Sequence, residues 1–424
     1  MRWLPGTRRV AMARATAAAA VFAGSIFGLL AIPLPASSAP TPTPTPTFTA
    51  PTARPNPASP FEGFVGGAQL GQHGVVVDHD AQPKLPPVHV ESFVVADLDT
   101  GDILAAKNAH SLMKPASTLK ILTAVTLLPR LDKRATYVAT AADANIEGSR
   151  VGLQVGSKYT IDQLFYGLFL PSGNDAASAL GNAAGGLPKT VGLMNREAER
   201  LGAFDTYVVN TSGLDEPAQW SSAYDLALFA REGLARADFR KYIRTPKLQW
   251  PGKPGQTYQI QNGNKLLSHY KGAYGVKNGF TTLARNTLVG VAERNGHRIL
   301  VSVMRTPKPS WEKVAALFDW GFASVGKAEP VGRLVSADDV TRAAAAQTAS
   351  RSRSPSGSRS AASTSPSGTP DVTVAAPDPT QQPSINVVAQ LGRIPLWIWA
   401  ALLMFVILTS LRVRSYLQTK RRKE

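Results

Sequence analysis

Three short stretches carry side chains whose types and spacing could do chemistry. In "KPASTLKILTAVTLL", Lys114 to Leu128, Ser117 and Lys120 stand three apart behind a proline, at the mouth of an apolar run. Pro115 suits a first helical turn, and the i, i+3 spacing then sets both side chains on one face, within reach of each other. A serine hydroxyl is a poor nucleophile until a base takes its proton, and a lysine whose pKa is lowered by burial can do so. The helix N-terminus favours negative charge on the attacking oxygen. The bland alternative is a serine cap beside a solvated lysine, and S-x-x-K alone does not separate the two.

The second stretch is "PSGND", where Ser172 and Asn174 interrupt an apolar helical run. It reads as a plain turn with an Asn cap, or as a hydroxyl and an amide aimed into a cleft. The hydroxyl would relay a proton and the amide would hold the lysine or a substrate amide. The third is "GVKNGFT", with Lys277, Asn278, Gly279, Phe280 and Thr281 on an expected strand. Lys277 is either a solvated edge residue or a positive charge beside the second serine. Gly279 would let a substrate backbone approach and pair along the strand.

The elements that must position these residues follow from the patterning. "SFVVADLDTGDILAAKNA", Ser92 to Ala109, is two β-rich runs around a "DTGD" turn, a hairpin feeding the Ser117 helix. "TIDQLFYGLFLPSGNDAASALGNAAGG" predicts helix, short polar loop, helix. "VGLMNREAERLGA" and "SSAYDLALFAREGLARA" predict amphipathic helices, the second capped by Ser222 with Asp225. "GAYGVKNGFT", "NTLVGVAE" and "HRILVSVMR" predict an antiparallel meander, closed by a helix in "SWEKVAALFDWGFASV". The fold class is therefore α/β: an antiparallel sheet flanked by helices, with an inserted helical subdomain.

The chain has 424 residues and a formal charge of +17, but the charge is unevenly spread. Residues 1–60 hold five Arg and no acid, residues 331–424 hold twelve basic and five acidic residues, and the centre holds 29 basic against 24 acidic. No basic stripe with interleaved aromatics appears, which argues against nucleic-acid binding. There is no cysteine, so disulfides, thiol catalysis and Cys-ligated metals are excluded. Residues 1–39 combine four early Arg, an apolar run and "LPASSAP", the three parts of a signal peptide. Residues 40–80 are read as a Pro/Thr-rich linker and 331–393 as an Ala/Ser/Pro-rich one, leaving 81–330 as the folded domain. Residues 394–411 carry no charge, enough to cross a bilayer core, and a basic tail at 412–424 marks the cytoplasmic side. The folded domain is thus expected outside the cell, tethered to the membrane. "HGVVVDHD" is read as a surface loop rather than a metal site, and Trp220 and Trp250 as fillers of surface grooves.

S-x-x-K, then S-x-N some fifty residues on, then K-x-G about a hundred further, is the order found in penicillin-recognising serine enzymes. With "ASTLK", "GLFLPSGNDAASAL", "MNREAERLGAFDT", "NTSGLDE", "SAYDLALFAR" and "GVKNGFTTLARNTLVGVA", the sequence resembles the low-molecular-weight penicillin-binding proteins, serine-type D-alanyl-D-alanine carboxypeptidases. The resemblance runs from about Phe93 to Val325. It implies Ser117 as nucleophile, Lys120 as base held by Asn174, and Ser172 with Lys277 as relay to the departing D-alanine. It places the oxyanion on the backbone N–H groups of Ser117 and Phe280, and gives Thr281 a part in holding the substrate carboxylate. It implies a peptidoglycan stem peptide ending in D-Ala-D-Ala as substrate, β-lactams as inhibitors, and no metal or cofactor. The sequence departs from the family at Asn278, where threonine is usual. A further cation for the substrate carboxylate could be Arg285, Arg305 or Lys308. A serine β-lactamase, or a wall-binding protein that keeps the fold without turnover, are the rival readings.

Overall fold

In the computed structural model the described residues are 59–353, apart from Pro254 and the side chains of 351–353. In chain order the strands are β1 (Val75–Val77), β2 (Ser92–Asp97), β3 (Asp102–Lys107), β4 (Thr136–Val138), β5 (Lys158–Thr160), β6 (Lys247–Pro251), β7 (Thr257–Gln261), β8 (Ala273–Thr281), β9 (Arg285–Arg294), β10 (His297–Thr306) and β11 (Gly332–Arg333). The helices are α1 (Lys120–Leu127), α2 (Ala141–Ala144), α3 (Ile161–Phe169), α4 (Asn174–Ala183), α5 (Leu187–Arg200), α6 (Ala223–Ala235), α7 (Ala237–Arg244), α8 (Leu266–His269), α9 (Ser310–Ser324) and α10 (Ala337–Arg353).

One seven-stranded sheet runs in the order β1-β3-β2-β10-β9-β8, with β11 also pairing β3, and its pairings are antiparallel. The expected hairpin is β2–β3, the expected meander is β8–β9–β10, and between them lies the inserted helical region. Alternation along β10 divides the core. Ile299, Val301 and Val303 pack with Val314, Leu317 and Phe318 of α9, while Leu300 and Met304 belong to the larger cluster that α1, α3, α4 and α6 complete. Period-2 burial on both faces is what a central strand between two helical layers requires. Ser222 caps α6 as the sequence predicts, its Oγ accepting from Asp225 N at 3.1 Å. β8 ends the sheet, so one of its edges is open to a further strand.

The structure corrects the two expected linkers. Within 40–80, the described residues from 59 onward are folded: Leu70 and Val76 are buried, and "VVV" of "HGVVVDHD" forms β1 against β3 instead of a loop. Three successive β-branched residues suit a strand even in a Gly-rich setting. Within 331–393, Val331, Leu334 and Val335 are buried, β11 joins the sheet, and α10 runs to Arg353. Alanine-rich composition lacks large apolar residues but is strongly helix-forming, and Ser336 and Asp339 exchange capping hydrogen bonds at its start. Trp250 is another correction, fully buried and stacked on Tyr159 with ring centres 5.7 Å apart. The signal peptide (1–39), the membrane span (394–411) and the basic tail (412–424) lie outside the described residues.

Candidate active site

Ser117 does not sit inside an α-helix as expected. It lies in a 3-10 turn, Ala116–Leu119, that runs directly into α1, whose first residue is Lys120. The three-residue spacing still brings the two together, with Lys120 Nζ 2.9 Å from Ser117 Oγ. The amine is fully buried and also lies 2.7 Å from Asn174 Oδ1 and 2.7 Å from the Ser212 carbonyl. These three neighbours fix what the amine can do. A neutral amine has two N–H donors and one lone pair. With the donors spent on Asn174 and Ser212, the lone pair faces the serine hydroxyl. Burial, and then the charge of Lys277, holds the Lys120 pKa well below its ordinary value, which favours the neutral amine.

Asn174 opens α4, and its orientation is fixed because Nδ2 donates to the Glu147 carbonyl at 2.7 Å. That leaves only its oxygen for the lysine. Next to it, buried Asp175 accepts from the backbone N–H groups of Val151, Gly152 and Leu153 and so clamps the loop that carries Glu147. Ser172, between α3 and α4, takes a left-handed φ of 65°. Its Oγ is buried with no hydrogen-bond partner among the described residues. A buried hydroxyl without a partner is uncommon, and a proton relay is one use for it.

Lys277 on β8 is 1% exposed, and its Nζ donates to the carbonyl of Asn278 at 2.7 Å. Burial brings its pKa down to about 7. Gly279 stands where the sheet touches the turn of Ser117: a Cβ there would meet Ser117 N at 2.6 Å and Thr287 Oγ1 at 2.6 Å. Phe280 follows, so its backbone is adjacent to that of Ser117, and its side chain is exposed. Asn278 is half-buried, its amide beside Gly263. Thr281 Oγ1 donates to Asp215 Oδ1 at 2.9 Å and accepts from Ala284 N at 2.9 Å, so its proton is already committed. The structure therefore gathers Ser117, Lys120 and Asn174 by direct contact and brings Gly279 and Phe280 to the Ser117 backbone.

The family model for D-alanyl-D-alanine carboxypeptidase, Peptidase S11, matches residues 79–308. The chain belongs to this family. A D-alanyl-D-alanine carboxypeptidase of Mycobacterium tuberculosis is 40% identical over 257 residues, spanning 58% of this chain and 88% of the relative. One from Bacillus subtilis is 32% identical over 241 residues, 55% of this chain and 62% of that one. Among solved structures, a D-alanyl-D-alanine carboxypeptidase from Mycobacterium tuberculosis aligns at a TM-score of 0.58 and 39% identity, over 61% of this chain and 100% of the other. The Streptomyces K15 DD-transpeptidase aligns at 0.54 and 30% identity, over 57% and 99%.

In this family member the sequence reading missed two contributors to the site. The Ser212 carbonyl is a backbone group, and no side-chain motif announces it. Its signal is Gly213, whose φ of 87° is left-handed and whose added Cβ would lie 1.9 Å from the Ala116 carbonyl oxygen. Lys114 is the other. It is buried over the Trp220 ring at 3.6 Å, and its amine donates to the carbonyls of Glu216, Pro217 and Gln219, tying down the loop that supplies Ser212 and Asp215.

Proposed function

We propose that this carboxypeptidase removes the terminal D-alanine from peptidoglycan stem peptides through an acyl-enzyme on Ser117. The observation that carries the reading is the buried Lys120 amine, held on two sides by Asn174 and Ser212 and turned toward Ser117 Oγ. Ser117 Oγ attacks the carbonyl carbon of the penultimate D-alanine while its proton passes to Lys120 Nζ. The oxyanion is held by the backbone N–H groups of Ser117 and Phe280; losing one such donor typically costs ~10²–10³ in rate. The C–N bond breaks as the leaving nitrogen receives a proton through Ser172 with Lys277. That proton is the one Lys120 took, so Lys120 is neutral again. Water then attacks the ester as it gives a proton to Lys120, which passes it to Ser117 Oγ as the ester bond breaks. β-Lactams acylate Ser117 by the same route and are released slowly.

The location is part of the proposal. An apolar stretch at 394–411 followed by a basic tail, and signal-peptide features at 1–39, support a single-pass membrane protein with its catalytic domain outside the cytoplasm. Cutting the chain at 393 should move penicillin-labelled protein from the membrane to the soluble fraction.

The function is tested by D-alanine release from a diacyl-Lys-D-Ala-D-Ala peptide, with labelled penicillin alongside. Wild-type chain is expected to release D-alanine and take the label, and Ser117→Ala to do neither. Labelling without release would favour a fold that acylates and no longer turns over.

A further inference from the structure

Tyr207 and Trp220 stand side by side at the foot of the loop that supplies Ser212. They exchange backbone hydrogen bonds, Tyr207 N to the Trp220 carbonyl at 3.1 Å and Trp220 N to the Tyr207 carbonyl at 3.0 Å. Residues paired in this way carry their side chains on one face, with Cβ atoms ~5 Å apart. Tyr207 is 56% exposed. Val209, two residues on, is exposed on the same face, while Val208 between them is buried. Pro217 and Ala218 of the loop are exposed as well. Large apolar side chains left in water as a group mark a contact surface.

The surface is rigid and continuous with the active site. Lys114, itself buried, covers one face of the Trp220 indole, so that face is the inner one and the ring meets solvent on its outer side. Gln219 donates to the Leu214 carbonyl and accepts from the N–H groups of Val209 and Asn210, which ties the loop to the Tyr207 segment. The same loop offers the Ser212 carbonyl to Lys120 and the Asp215 carboxylate to Thr281 at the end of β8. Lys114 is three positions before Ser117, which sets their Cα atoms at most about 11 Å apart.

We infer that Tyr207, Val209 and Trp220 form a platform for the glycan strand that carries the stem peptide, an aromatic surface on which amino-sugar rings stack. The inference rests on the carboxypeptidase reading above. A pyranose ring has an apolar face of C–H bonds, which suits the electron-rich face of an aromatic ring. Its rim of hydroxyl and amide groups must stay hydrogen-bonded, and the Tyr207 hydroxyl and the exposed Glu216 carboxylate are at hand for it. From Asn210 to Gln219 the loop holds two carboxylates and no basic residue, which suits a neutral sugar chain and repels an anionic lipid surface. The donor peptide is joined to such a chain at its far end. A peptide seated at Ser117 therefore brings its sugars to the platform within a short stem's length, at ~3.3–3.6 Å per extended residue.

The test compares D-alanine release by the full chain from a free stem peptide and from the same peptide joined to a tetrasaccharide of N-acetylated amino sugars. The glycan-linked substrate is expected to have the higher kcat/KM, through a lower KM. Tyr207→Ala should cut that advantage at least fivefold, and Tyr207→Phe, which keeps the ring, should retain it. By calorimetry the peptide-free tetrasaccharide should bind wild-type chain, and Tyr207→Ala at least fivefold more weakly. An advantage that survives Tyr207→Ala would overturn the inference. So would equal losses on both substrates, since the ring would then only brace the loop beside Lys120. Binding to anionic vesicles or self-association that Tyr207→Ala abolishes, with no binding of the tetrasaccharide, would assign the face to a membrane or a second copy and overturn it too. If neither substrate releases D-alanine and penicillin labelling fails, the enzymatic reading falls, and calorimetry alone decides the platform.

Discussion

Lys120 and Lys277 are two buried amines in one site with different duties, and pH should tell them apart. In the proposed mechanism Lys120 must be neutral to take the serine proton, and its pKa is held well below the ordinary lysine value. In the same mechanism Lys277, at about 7, must be charged to face the substrate carboxylate and feed the relay. kcat/KM reports the free enzyme, so it should fall as pH rises through about 7. Lys277→Arg keeps the charge and should carry that alkaline limb at least two pH units higher; a limb left in place would remove Lys277 from the assignment. Linkage gives a second readout. Between about pH 7 and 10.5 the unfolded chain binds a proton that the folded Lys277 does not. Stability should therefore rise with pH across that window, by up to about 1.4 kcal/mol per unit. Lys277→Met should lose this share of the slope, while the share from Lys120, whose pKa is also lowered, remains. Both lysines were legible in sequence because their motifs fix spacing along one element. What encloses Lys120 was not, because Ser212 lies 92 positions away in the chain.

At the scale of elements, the site is a contact between a strand and a turn. β8 approaches the 3-10 turn so closely at Gly279 that a methyl group would collide with Ser117 N and Thr287 Oγ1. Neither neighbour is a flexible chain end: one is backbone, and Thr287 Oγ1 is tied to the Pro115 carbonyl at 3.0 Å. Gly279→Ala should therefore push β8 away from the nucleophile. We expect a loss of at least ~10² in both penicillin acylation and D-alanine release, the scale of removing one oxyanion donor. The melting temperature should fall far less, since β8 keeps its pairing with β9. Parallel loss of fold and activity would assign Gly279 to stability alone. The K-x-G pattern made this contact legible as a close approach. The 3-10 start of α1 was hidden, because Pro115 and a following apolar run look the same before either kind of helix. The Thr281–Asp215 bond was hidden as well, since it joins residues 66 positions apart in the chain.

Across the whole molecule, the limits of the folded unit were the least legible feature, since composition alone marked both flanks as tethers. Local chemistry is different. Val331, Leu334 and Val335 enter the core, and the Tyr224 hydroxyl, buried beneath them, donates to the Arg333 carbonyl and accepts from Val335 N. Removing everything after Pro330 would expose that apolar surface and leave the hydroxyl without either partner. Burying a Val or Leu side chain is worth roughly 1.5–3 kcal/mol, and a buried hydroxyl stripped of its bonds costs about 1–3 kcal/mol. Even with a generous discount for residual structure in the unfolded chain, several kcal/mol should go. At roughly 2–4 °C per kcal/mol for a domain of this size, the chain ending at 330 should melt at least ~8 °C below one ending at 353. The segment touches none of the residues around Ser117, so at low temperature both forms should acylate with penicillin at the same rate. An unchanged melting point would return 331–353 to the status of a tether. Slower acylation with intact fold would mean that the C-terminal segment reaches the catalytic cleft through the helical layer.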